Sequence, residues 1–70
     1  MEPRIRLMIE KKLKQYLSSD NPMRFAVPVV HLPPATHRFR VGDYRVMFFR
    51  EESIFCIICV ERRDKVYRMP

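Results

Sequence analysis

Seventy residues make one small domain, and a chain of this length buries only about 60% of its unfolded surface, so its core is thin. Apolar residues at 47% and a single glycine exclude an unstructured chain, while 14 Lys+Arg against 8 Asp+Glu leave a net charge of +6. Ten of the basic residues are arginine, whose planar fork grips phosphate oxygens in two places, so an anionic partner is expected, nucleic acid rather than membrane.

From Pro3 to about Ser19 the apolar residues Ile5, Met8, Ile9, Leu13, Tyr16 and Leu17 recur at three- and four-residue spacing, with Arg6, Glu10, Lys11, Lys12 and Lys14 on the other face. The pattern predicts an amphipathic helix. Pro3 suits its first turn, and Pro22 ends it by disfavouring helix at Asn21. The N-terminal stretch is charged throughout and lacks the apolar block and small-residue cleavage site of a signal peptide, so the chain is expected to stay in the cytoplasm with reduced cysteines.

Met23 to Pro34, MRFAVPVVHLPP, holds three of the six prolines and no clear period. It predicts an extended connector laid across the core by Phe25, Val27, Val29, Val30 and Leu32, not a regular central strand. Four runs rich in β-branched and aromatic residues follow, at about 37–41, 44–50, 53–61 and 65–69, and predict an antiparallel meander. The expected architecture is α+β: an N-terminal amphipathic helix packed on an antiparallel sheet of three to four strands.

Gly42-Asp43 has the signature of a two-residue type II′ turn, which sets Val41 opposite Tyr44 and Arg40 opposite Arg45. Side chains alternate with period two, so Arg38, Arg40 and Arg45 share one face with Met47 and Phe49. Phe39, Val41, Tyr44, Val46 and Phe48 fall on the other, for the helix to cover. A turn at Arg50-Glu51-Glu52-Ser53 is expected to set Phe49 opposite Ile54, Phe48 opposite Phe55 and Arg45 opposite Ile58. The run Ile54–Val60 is apolar on both faces, as a central strand is, and far short of the roughly 20 residues of a membrane span.

Directly opposed arginines destabilise a hairpin, and a bound anion would offset that cost. The competing reading pairs Arg38 and Arg40 with Glu51, Glu52 or Glu61. Cys56 and Cys59 have CxxC spacing, but residues three apart on a regular strand face opposite ways, so both are expected to be core residues without metal or redox work. His31 and His37 have no nucleophile and acid at recognisable spacing, and there is neither a glycine-rich phosphate loop nor a helix-turn-helix pattern.

The segments HRFRVGDYRVMFF and ERRDKVYRMP resemble the RelE/ParE superfamily of bacterial and archaeal toxins, in which R-x-R-x-G-x-Y-R-V and a closing R-x-x-V-Y lie on strands of one sheet. The likeness is close over residues 37–70 and loose over the helix and connector. Family members usually carry a further strand and helix ahead of the helix read here, so the chain is short at its N-terminus relative to them.

The resemblance implies one toxin domain over residues 1–70 of a type II toxin–antitoxin pair, with a cognate antitoxin as partner and homodimerisation open to it. In the RelE branch the toxin enters the ribosomal A site and cuts messenger RNA without a metal or other cofactor. Carried over by position, Arg38 and Arg40 would hold the phosphate, together with Arg62 and Arg68. Arg45 would clamp the transition-state charge, Arg63 or its neighbour Arg62 would supply a cation or proton, and Tyr67 would stack on or deprotonate the nucleotide. The alternatives are a ParE-like inhibitor of DNA gyrase and an inactive member that only binds antitoxin or RNA.

Overall fold

The helix α1 runs from Pro3 to Leu17, with Pro3 in its first turn and Glu2 entering in an extended conformation. Ile5, Ile9, Leu13 and Tyr16, spaced four, four and three apart, form the stripe that packs inward. Met8 and Leu17 do not join it: both stay more than two-fifths exposed, so the apolar stripe is narrower than its sequence suggests. The Ser18 N–H donates to the Lys14 carbonyl at 3.0 Å and the Ser19 hydroxyl to the Tyr16 carbonyl at 2.8 Å, closing the last turn. No helix among the described residues is long and apolar enough to cross a membrane. The computed structural model describes residues 1–62 and 65–68, with Arg68 described in its backbone.

A 3₁₀ turn at Pro22–Phe25 leads into five strands: β1 (Ala26–Pro28), β2 (His37–Val41), β3 (Tyr44–Glu51), β4 (Ile54–Arg62) and β5 (Lys65–Arg68). They form one antiparallel sheet in sequence order. The sheet thus has one strand more than the three to four expected. The extra strand is β1, cut from the connector, and an edge position is where a strand ending in Pro28 can sit, because a proline there forfeits no bond inward. The rest of the connector turns back through a Leu32–Ala35 hydrogen bond of 2.9 Å. It packs Val29, Leu32 and Ala35 on Met47, Ile58 and Cys59, making a small second core on the face away from the helix. Val30, expected in the core, is 90% exposed, and Val27 points outward too.

The main core lies between α1 and the sheet. Phe39, Val46, Phe48 and Val60 have no exposed surface, and Val41, Tyr44 and Ile9 are nearly as enclosed. The Gly42-Asp43 turn behaves as its residues predict: Gly42 takes φ +58°, Val41 faces Tyr44 and Arg40 faces Arg45.

The next hairpin departs from expectation. Its loop is Glu52-Ser53, one residue later than assumed, and β4 carries an extra residue, Ile58, against Met47 and Phe48. The later loop slides every partner by two and the bulge by one more. Phe49 therefore faces Cys56 in place of Ile54, Phe48 faces Ile57, and Arg45 faces Glu61 in place of Ile58. The bulge also overturns the reading of the cysteines: Cys59 lies opposite Met47 and Cys56 opposite Phe49, two positions apart on β3, so the two share a face.

Glu52 enters this turn with φ +55°, a conformation that costs an L side chain about 1 kcal/mol. Its carbonyl accepts a hydrogen bond from Arg50 Nε, which a glycine would preserve. Glu52→Gly is expected to raise stability by about 0.5 kcal/mol, the relieved strain outweighing the extra freedom of the unfolded chain. An upward shift of the urea midpoint checks this, and a downward shift would contradict it.

Candidate nucleic-acid interface

Two rungs across the sheet set the geometry of the face away from the helix. One runs Val27, Arg38, Met47, Cys59 and the next Arg40, Arg45, Glu61, Val66. Neighbouring strands are about 4.8 Å apart and residues two along a strand about 6.6 Å, so Arg38, Arg40 and Arg45 rise from one small patch. The turn predicted at Gly42-Asp43 is what brings them together.

Their surroundings differ. Arg45 Nη1 lies 3.1 Å from Glu61 Oε1 in a half-buried ion pair. Arg40 is exposed, and its Nε makes only a long 3.5 Å contact to the Gly42 carbonyl. Arg38 is half-buried, and its Nε is enclosed with no hydrogen-bond partner. Among the described residues neither Arg38 nor Arg40 has a carboxylate within ion-pair distance. The competing reading paired these two arginines with Glu51, Glu52 or Glu61; the bulge instead delivers Glu61 to Arg45.

Arg62 stands in register with Tyr44 and therefore on the helix side, its guanidinium 5.7 Å from the centre of the Tyr44 ring. It still reaches the same end of the sheet, where a cavity of about 310 Å³ is lined by Arg40, Asp43, Arg45 and Arg62. Tyr67 is opposite Val60 and packs against the helix-side core, across the sheet from Arg45. Arg68 is in register with Cys59. Arg63 lies outside the described residues.

Sequence reasoning missed Asp43 as a member of this neighbourhood, and offered Glu61 to Arg38 or Arg40 where the structure gives it to Arg45. Asp43 was legible as the residue inside the turn; Glu61 depended on a bulge that no residue announces. Among the described residues no group of three or more His, Cys, Asp or Glu side chains gathers to hold a metal ion. The patch instead offers planar cationic forks for a phosphate and, beside them, the carboxylates of Glu61 and Asp43, which can accept a proton.

None of the known family models, curated proteins or solved structures matches the chain.

Proposed function

We propose that the chain is a RelE/ParE-like toxin domain that binds the phosphates of ribosome-bound messenger RNA through Arg38, Arg40 and Arg45 and cuts the strand there. The observation that carries this reading is the patch itself: two arginines without a carboxylate partner among the described residues, beside a third held against Glu61. Opposed like charges cost folding energy, and a phosphodiester offsets that cost.

Cleavage is an attack by the ribose 2′ oxygen on the neighbouring phosphorus. The Glu61 carboxylate takes the 2′-hydroxyl proton, the 2′ oxygen forms its bond to phosphorus, and the bond to the 5′ oxygen breaks. That oxygen takes up a proton from solvent, leaving a 2′,3′-cyclic phosphate and a 5′-hydroxyl. Arg38 and Arg40 hold the phosphate, and Arg45 both steadies Glu61 and neutralises the charge gathering on the phosphoryl oxygens. Tyr67, the base implied by the family resemblance, is on the opposite face, and this favours Glu61 in that role. A cognate antitoxin would mask the arginine patch.

Expressing the chain without an antitoxin and mapping RNA 5′ ends tests the reading. Cuts in ribosome-bound messages that carry 5′-hydroxyl ends are the expected result. RNA bound without cuts would make this a binding module; intact messages with broken DNA would make it a gyrase inhibitor.

A further inference from the structure

Beyond the patch, on the helix side of the same sheet edge, four side chains form a ladder of two stacked rings with a cation at either end. Lys12 Nζ stands 5.6 Å from the centre of the Tyr16 ring. Tyr16 stacks on Phe25 with centroids 4.6 Å apart and planes within 22°. The Arg24 guanidinium lies 5.1 Å over Phe25. The ladder is tied to the patch, because the Tyr16 hydroxyl donates to the Arg40 carbonyl at 3.1 Å.

We infer that the Lys12, Tyr16, Phe25 and Arg24 ladder is a second binding surface, which receives the single-stranded RNA as it leaves the arginine patch. This rests on the RNA-binding reading above. Three observations carry it. β1 pairs with His37–Phe39, so among the described residues β2 has no strand outside it from Arg40 onward, and a polymer can round this edge from one face to the other. Lys12 and Arg24 are exposed, and among the described residues neither makes an ion pair. Phe25 is 36% exposed although it is a large apolar ring, so the stack is not simply core.

The chemistry selects single strands. The Arg24 guanidinium over the partly exposed Phe25 ring offers a planar, positively charged plane against which an unpaired base can stack, while the phosphates stay near the Lys12 ammonium and the guanidinium. A duplex hides its base faces, and an acidic peptide needs charge but gains little from a stacked plane.

Fluorescence anisotropy with labelled oligouridylates, a trinucleotide and a dodecanucleotide, tests this on the full chain. The trinucleotide fits the patch alone; the dodecanucleotide also spans the ladder. Lys12→Gln with Arg24→Gln is expected to weaken dodecanucleotide binding about 10-fold and to lower its salt slope by about 1.4, at about 0.7 per lost phosphate contact, while the trinucleotide is unchanged. Phe25→Leu is expected to give a loss of about 5- to 150-fold, the worth of one stacked base, again for the longer RNA only. Both glutamine substitutions are at exposed positions, so a retained circular dichroism spectrum and thermal midpoint separate them from misfolding. Equal affinity of the variants and the parent chain for the dodecanucleotide overturns the inference and leaves the patch standing. So does a loss of polyglutamate binding with RNA binding intact, which would assign the ladder to an acidic protein. If the parent chain binds neither RNA, the patch reading and the ladder fall together.

Discussion

Phe48→Ala is expected to leave the chain without a cooperative unfolding transition. Phe48 has no exposed surface and sits at the centre of an aromatic stack, 4.5 Å from the Phe39 ring and 5.5 Å from the Phe55 ring. Truncating a buried phenylalanine to alanine costs about 3–5 kcal/mol, from lost burial and from the cavity left behind. At about 0.05–0.15 kcal/mol per residue, a chain this short has only about 3.5–10 kcal/mol in total. Its main core is one layer deep, so few neighbours can close over the gap. Phe48→Leu keeps most of the volume and is expected to cost about 1–1.5 kcal/mol, with a cooperative transition at lower urea. Ile54→Ala, at a residue 63% exposed, is expected to change stability by less than about 0.5 kcal/mol. Urea unfolding followed by circular dichroism compares the three, and a parent-like transition for Phe48→Ala would show that the aromatic stack is not the core.

The parts of the fold written in local chemistry were legible. Pro3, Pro22 and the three- to four-residue spacing between them delimit α1, and Gly42-Asp43 predicts both the turn and the opposition of Arg40 to Arg45. The arginine patch follows from that turn alone. What was not legible depends on comparing alternatives of nearly equal local energy. Glu51-Glu52 and Glu52-Ser53 are equally unremarkable as loop residues, and the structure uses the second with Glu52 at positive φ. Ile58 is one apolar residue in a run of apolar residues, so nothing marks it as the one without a partner. Yet those two choices decide whether Arg45 meets an isoleucine or a carboxylate, and whether Cys56 and Cys59 share a face. β1 escaped notice for a related reason: three residues with a proline give no period, and their pairing is stabilised by the edge of β2, not by their own pattern. The face of Tyr67 stayed open in the sequence because motif spacing says nothing of the rung on which a residue lands.

If the chain cuts RNA as proposed, Arg45→Ala is expected to slow that cutting by about 10²–10³, the usual loss when one preorganised group is removed from a transition state that gathers negative charge. Glu61→Gln is expected to slow it comparably by a different route. The amide cannot take the 2′-hydroxyl proton, but it keeps the shape of the side chain and removes a negative charge from the patch, so RNA should bind at least as tightly while cutting is lost. Arg45→Ala should weaken binding as well as cutting. Because the proposed cleavage uses the Arg45–Glu61 pair as a unit, the double variant is expected to be little slower than either single one. Folding does not account for these losses. The two side chains are 41% and 27% exposed, and an ion pair so open to solvent contributes at most about 1 kcal/mol to stability. Tyr67→Phe is the decisive comparison: its ring lies across the sheet from Arg45, so cutting should proceed at the parent rate. Single-turnover cleavage of a ribosome-bound message, measured beside RNA affinity for the four variants, tests all of this together. Full activity in Glu61→Gln with none in Tyr67→Phe would move the base to the helix side and leave Glu61 as a structural partner of Arg45.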